Sequence, residues 1–342
     1  MILESRPSGH LPRSLVLFPG ALGDFICFLP TLSRMERSSN VDLFARTDFA
    51  DLVPSRVRLR SFDCDEIRRL FVSGGADDER VKNLLARYDS VYTWMGSGVA
   101  EFTSQLSALT NGKAEFFSFR SPRPGVHQAD YFLGCLGGPP QMAIPHIGVK
   151  QDAQRWADTY WRQQALVSRA VLAMAPGSGA REKNWPVPCF AEVAKWWRQR
   201  LEGTVMVILG PAEEERRGYD GLCRDSLPVR NFRLALLAAV LSRCDAYLGN
   251  DSGITHLAAA VGTPTLALFG PSDASQWAPR GTKVTTLTAG EECSPCAPST
   301  MKSCCHRRCL TALEPLAVIR QLERMPAVAS LTGKGAGITV RH

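Results

Sequence analysis

Short apolar runs alternate with segments of helical period along most of this 342-residue chain, and that alternation constrains its fold more than any other feature. Leu15–Pro19 (LVLFP) reads as a buried strand. A glycine-containing turn follows, then a helix from about Asp24 to Arg37. Val41–Ala45, Ser90–Met95 and Ala114–Phe119 read as further strands, with a helix at Val99–Leu109. A second series opens with a helix near Asp152–Val167. It continues as strand Ala170–Ala175, helix Pro188–Arg200, strand Thr204–Leu209, helix Leu234–Arg243, strand Ala246–Gly249, helix Gly253–Val261 and strand Pro264–Phe269. Pro315–Arg324 is a last helix, with Pro in its first turn. Apolar strands separated by helices imply open, mostly parallel sheets covered by those helices. At ~150 residues per domain the length gives about two domains. Gly- and Pro-rich stretches near Ser121–Gly125 and Leu136–Pro145 lie near the boundary. The expectation is therefore α/β: two Rossmann-like, doubly wound domains, 1–150 and 151–328, with a Gly-rich tail, 329–342, expected to be disordered. Such sheets bind ligands at the carboxyl ends of their strands, so two facing domains would place a cleft there.

Composition narrows the function classes. A hydrophobic content of 45% excludes a disordered chain. Forty Lys+Arg against 33 Asp+Glu give a formal charge of +7, below the density of a dedicated nucleic-acid binder. That charge suits solubility, or an anionic substrate or membrane surface. Residues 1–14 hold no apolar run, and the longest one, Leu234–Leu241, is far short of a membrane span. A cytoplasmic location is expected, with the eleven cysteines reduced.

Three stretches carry chemistry. In GNDSGITHLAAAVGTPTLALFG (Gly249–Gly270) a strand ends, Ser252 and Gly253 turn, and a helix begins. Its first N–H groups and its dipole form an anion site, to which Ser252 and Thr255 can add hydroxyl donors. The plainer reading is an N-cap at Asp251 or Ser252. In APGSGAREKNWP (Ala175–Pro186) Gly177 and Gly179 make a flexible turn, and Ser178, Arg181 and Lys183 can meet phosphate oxygens, although the spacing is not that of a P-loop. In PGALGDFICFLP (Pro19–Pro30) Asp24 opens the first helix, either as a first-turn carboxylate or as a general base; GxGxxG is missing.

Together these stretches resemble glycosyltransferase family 9, the lipopolysaccharide heptosyltransferases. The resemblance rests on ALGDFICFLPTL (Ala21–Leu32), PGSGAREKNWP (Pro176–Pro186), LGPAEEER (Leu209–Arg216) and GNDSGITHLAAAVGTPTLALFGPSD (Gly249–Asp273), in order, with Trp277 and Pro279 beyond. It implies a GT-B fold, with acceptor on the N-terminal domain and nucleotide-sugar on the C-terminal one. Asp24 matches the catalytic base, and Gly20 and Gly23 lie in the acceptor-side loop. Ser178 and Lys183 match donor-diphosphate contacts; Asp251, Ser252, Gly253, Thr255 and His256 match the phosphate-binding turn and helix start. Glu213 matches a ribose contact, and the adjoining Glu214 and Glu215 leave the register of that match open. The implied reaction is inverting transfer of a heptose from ADP-heptose to a lipopolysaccharide-core-type glycolipid, with no cofactor and no catalytic metal. The enzyme would be a monomer touching the inner-membrane face peripherally, with no nucleic-acid partner. The same fold leaves open another nucleotide-sugar and glycan acceptor, an epimerase or hydrolase, and a non-enzymatic nucleotide-binding module.

Two features stand apart. Asp63 and Asp65 form a literal DxD, read as a chance surface match far from the phosphate loops. Cys293, Cys296, Cys304, Cys305 and Cys309 cluster in one loop with His306. CxxC followed by further Cys resembles a zinc site, but the second half does not repeat the spacing. Structural zinc, a disulfide and unlinked thiols all remain open there.

Overall fold

The computed structural model describes residues 11–334. The chain divides into two compact units. Unit 1 holds the chain up to Ala21, Phe28–Arg123 and Ala129–Gln141; unit 2 holds Leu22–Cys27, Pro124–Gln128 and the chain from Met142 onward. The main division thus falls at 141/142 rather than at 150, and the opening of the first helix joins unit 2.

Unit 1 contains β1 (Arg13–Leu17), β2 (Asn40–Ala45), β3 (Arg58–Ser61), β4 (Ser90–Thr93) and β5 (Ala114–Phe116). All pair in parallel, in the order β3-β2-β1-β4-β5. Leu15, Val16 and Leu17 are fully buried, as a central strand covered on both faces requires. Helix α1 (Leu22–Met35) follows β1, and α2 (Ala100–Leu109) lies between β4 and β5. Phe18, Phe28, Trp94 and Phe132 pack together just beyond β1 and β4; Phe18 stacks on Phe28 at 4.2 Å and Trp94 meets Phe28 edge-on at 4.7 Å. At the other end Asp42, buried in β2, accepts from the Tyr88 hydroxyl at 2.7 Å and from Arg13 at 3.2 Å.

Unit 2 contains β6 (Val171–Ala175), β7 (Thr204–Leu209), β8 (Leu227–Arg230), β9 (Ala246–Asn250), β10 (Thr265–Phe269) and β11 (Val284–Thr288). They are parallel, in the order β11-β10-β9-β6-β7-β8. The chain winds outward from β6 to β8, then returns to β9 and winds the other way. The switch point therefore lies between the carboxyl ends of β6 and β9, where sheets of this topology take ligands. The helices here include α3 (Gln151–Gln163), α4 (Val187–Leu201), α5 (Pro211–Arg216), α6 (Leu234–Leu241), α7 (Gly253–Ala260), α8 (Pro315–Arg324) and α9 (Pro326–Lys334). Trp185, Phe190, Val193 and Trp197 pack with β6, β7, β9, β10 and α8 in the larger core.

The expected tail needs correction. Residues 329–334 belong to α9, whose Val328 is fully buried, and 335–342 lie outside the described residues. Among the described residues no helix is long and apolar enough to cross a membrane.

Candidate active site

The site starts from one buried amide. Asn250 ends β9 and has no exposed surface. Its Oδ1 accepts from the Trp185 N–H at 2.9 Å, and its Nδ2 donates to the Pro176 carbonyl at 2.8 Å. One side chain thus holds both ends of the 176–185 loop beside the β9 turn, and satisfies two buried main-chain groups. Trp185 is locked in turn by its indole N–H, which donates to the Leu313 carbonyl at 2.8 Å.

Ser178 Oγ lies 2.6 Å from both the Ala180 carbonyl and the Asn184 side-chain oxygen position. A hydroxyl has one proton, and it goes to the carbonyl. Asn184 must therefore present its NH₂ group to Ser178. Arg216, at the end of α5, donates to the carbonyls of Ser178 at 2.6 Å and Gly179 at 3.1 Å. Glu213, one turn earlier, closes its own helix start by accepting from the Gly210 N–H at 2.9 Å. Its carboxylate also lies directly over Gly177, where any Cβ would collide with it. Of the three adjoining glutamates, Glu213 therefore faces the loop, while Glu214 pairs with Arg230.

Lys183 and Asp251 meet at 2.6 Å, with 29% and 9% of their side-chain surface exposed. Asp251 leads into α7. Ser252 caps that helix, its Oγ accepting from the Thr255 N–H at 3.4 Å. The Thr255 hydroxyl does not serve as the outward donor expected from the sequence. It is fully buried and donates back to the Asn250 carbonyl.

Leu22–Cys27, the part of α1 assigned to unit 2, packs on the start of α7. A Cβ on Gly253 would sit 2.7 Å from the Leu22 Cβ, and one on Gly23 would sit 3.2 Å from the His256 ring. Two backbones approach here because both positions lack side chains. Asp24 stands in the first turn of α1, partly buried. His256 is buried, with Nδ1 3.8 Å from Cys27 Sγ. Burial pulls its pKa down to about 4, against the opposing pull of Asp251, so the ring is neutral at neutral pH.

The structure thus brings Ser178, Lys183, Glu213, Asp251, Ser252, Gly253, Thr255, His256, Gly23 and Asp24 into one unit; Gly20 falls in unit 1. Asn184, Trp185, Arg216 and Asn250 were within the quoted motifs but were given no role. Their signal was available as polar residues at loop ends, yet which backbone groups they satisfy depends on the pairing of β6 with β9. Asp63 and Asp65 lie on the surface of unit 1, both paired with Arg68, at 2.6 and 3.4 Å.

In the cysteine loop the described cysteines are unlinked, and among the described residues no three His, Cys, Asp or Glu side chains are grouped around one point. Two of the five sulfurs bond to the main chain: Cys296 Sγ donates to the Cys293 carbonyl at 3.2 Å and Cys304 Sγ accepts from the Arg307 N–H at 3.4 Å. Cys305 is exposed while Cys309 is buried.

A parallel sheet with a capped helix start and a Lys–Asp pair at its switch point defines a Rossmann-like unit. The family model described as glycosyltransferase family 9 (heptosyltransferase) matches residues 129–305, just over half of the chain. The chain belongs to that family. It is 28% identical over 169 residues to a Campylobacter jejuni lipooligosaccharide heptosyltransferase 2, covering 46% of this chain and 51% of that protein. It thus spans about half the length of the curated relatives it matches. A family 9 glycosyl transferase from Veillonella parvula shares the fold, with TM-score 0.74 and 20% identity over 96% of this chain and 100% of that one. The E. coli ADP-heptose LPS heptosyltransferase II does so at TM-score 0.66 and 18% identity, over 95% and 100%.

Proposed function

We propose that this protein transfers a heptose from ADP-heptose to a lipopolysaccharide-core-type acceptor, by inverting displacement without a catalytic metal. The observation that carries the reading is the Lys183–Asp251 pair at the start of α7. The ammonium and the helix N-terminus supply the positive charge that a departing diphosphate requires. Asp251 carries the same charge sign as phosphate. Its part is to aim Lys183 and to accept from sugar hydroxyls, rather than to bind phosphate.

Asp24 is the base. Its carboxylate takes the acceptor hydroxyl proton as that oxygen attacks the anomeric carbon. The bond from that carbon to the diphosphate breaks, its electrons leave with ADP, and attack from the opposite face inverts the centre. Relatives named as acting on lipopolysaccharide or lipooligosaccharide support a glycolipid acceptor. We accordingly place the reaction at the cytoplasmic membrane face, with the enzyme a peripheral monomer and unit 1 receiving the acceptor.

Asp24→Asn tests the assignment. Turnover should fall by about 100-fold or more, the worth of a positioned base. ADP affinity, measured by calorimetry, should stay within about threefold because the diphosphate contacts are untouched. A variant keeping more than about a tenth of wild-type turnover would show that Asp24 is not the base. Full activity in EDTA is expected; loss that Mg²⁺ restores would overturn the metal-independent step.

A further inference from the structure

Tyr247 is the second residue of β9 and has no exposed surface, so it cannot touch a substrate. Its phenol oxygen is 3.0 Å from Thr255 Oγ1, and Thr255 Oγ1 is 3.0 Å from Ser252 Oγ. Proton counting orients this group. Thr255 spends its one proton on the Asn250 carbonyl, which can only accept. Thr255 Oγ1 can then only accept, so Tyr247 and Ser252 must both donate to it, and its two lone pairs are filled. Ser252, with its proton turned inward, receives the Thr255 N–H. Neither hydroxyl therefore points a proton outward. The donors left for an anion are the Gly253 and Ile254 N–H groups, which have no intrahelical partner, and Lys183.

Gly249 supports the same arrangement independently. It lies on the same side of β9 as Tyr247. A Cβ there would collide with the phenol oxygen and stand 2.9 Å from Thr255 Oγ1. The strand leaves open the space that the hydroxyl group occupies.

We propose that Tyr247 is a positioning residue for the diphosphate-binding turn, acting through Thr255 and Ser252 to hold the Gly253 and Ile254 N–H groups toward the ligand. The ligand assignment rests on the function proposed above; the relay itself does not. Tyr247→Phe keeps the ring and removes the donor. Its ADP dissociation constant and donor KM should rise together by about fivefold, the worth of one hydrogen bond. Acceptor KM and kcat should stay within about twofold, because the lost bond acts on donor binding alone. A purely structural role would instead lower kcat with donor KM unchanged, and that result would overturn the proposal. Amide hydrogen exchange gives a readout that needs no ligand. In Y247F the Thr255 amide, which donates to Ser252 Oγ, should exchange about tenfold faster than in wild type, while those of β7 do not change. Unchanged exchange at Thr255 refutes the relay whether or not ADP binds. Wild-type protein that fails to bind ADP while Y247F still shows faster exchange would sink the donor assignment and leave the relay standing. Thr255→Val provides the second variant. It should weaken ADP binding at least as much as Y247F, because it also removes the bond to the Asn250 carbonyl, and adding Tyr247→Phe to it should lose nothing further; additive losses would mean that the two residues act separately.

Discussion

His256 shows what burial does to a single side chain in this site. It titrates near 4 in the fold against 6.5 for an unperturbed ring. Between those values the unfolded chain binds the extra proton, so stability rises with pH across the window and is lost as pH falls from 6.5 toward 4. A difference of this size is worth about 3 kcal/mol. Urea midpoints at pH 7 and pH 4.5 should show wild type losing more on acidification than His256→Gln. Arg216 makes a different case. Its two bonds hold the carbonyls of Ser178 and Gly179, so Arg216→Ala frees the loop that carries Lys183. Donor KM should rise about tenfold, as for the loss of two charge-assisted bonds partly replaced by water. Initial rates against donor concentration check this; Arg216→Lys should rescue little, since one ammonium cannot reproduce the fork.

At the scale of elements, the 176–185 loop and the start of α7 depend on Asn250. Asn250→Ala leaves the Trp185 N–H and the Pro176 carbonyl buried without their partner, at about 1–3 kcal/mol each. A fall of about 2–4 kcal/mol in unfolding free energy is expected from urea titration. An unchanged midpoint would show that another group or water takes over both bonds. The strands show which elements a sequence can reveal. β1, β2, β4, β6, β7, β9 and β10 were all recognised from apolar runs, and β5, although at a sheet edge, was recognised from its phenylalanines. β3 (RLRS), β8 (LPVR) and β11 (VTTLT) were not, and each lies at a sheet edge. An edge strand is only partly covered and therefore carries Arg, Thr or Pro, without the run that burial on both faces imposes.

At the scale of the molecule, the two units have separate sheets, and the proposed donor contacts all fall in unit 2. ADP at 100 times its dissociation constant adds about 2.7 kcal/mol to the state that binds it. Differential scanning calorimetry should therefore show ADP raising a transition assigned to unit 2, with unit 1 unmoved where the transitions separate. Equal shifts in both would mean that the units unfold as one.

The α/β class, the two series of strands and the motif residues were all legible in the chain itself. They follow from burial periodicity and from local turn and capping chemistry, which act over a few neighbouring residues. The start of the tail shows the opposite case: composition pointed to disorder from 329 on, yet 329–334 continue the helix that Val328 anchors in the unit 2 core. The cysteine spacing left zinc, a disulfide and unlinked thiols open, and the described cysteines are unlinked. Asn250, Arg216 and Tyr247 acquire their roles from partners 74, 38 and 8 positions away. Sequence alone specified which residue types were available. Only the parallel register of β6 and β9 decided which donors and acceptors would meet, because a hydrogen bond depends on distance and direction in space rather than on separation along the chain.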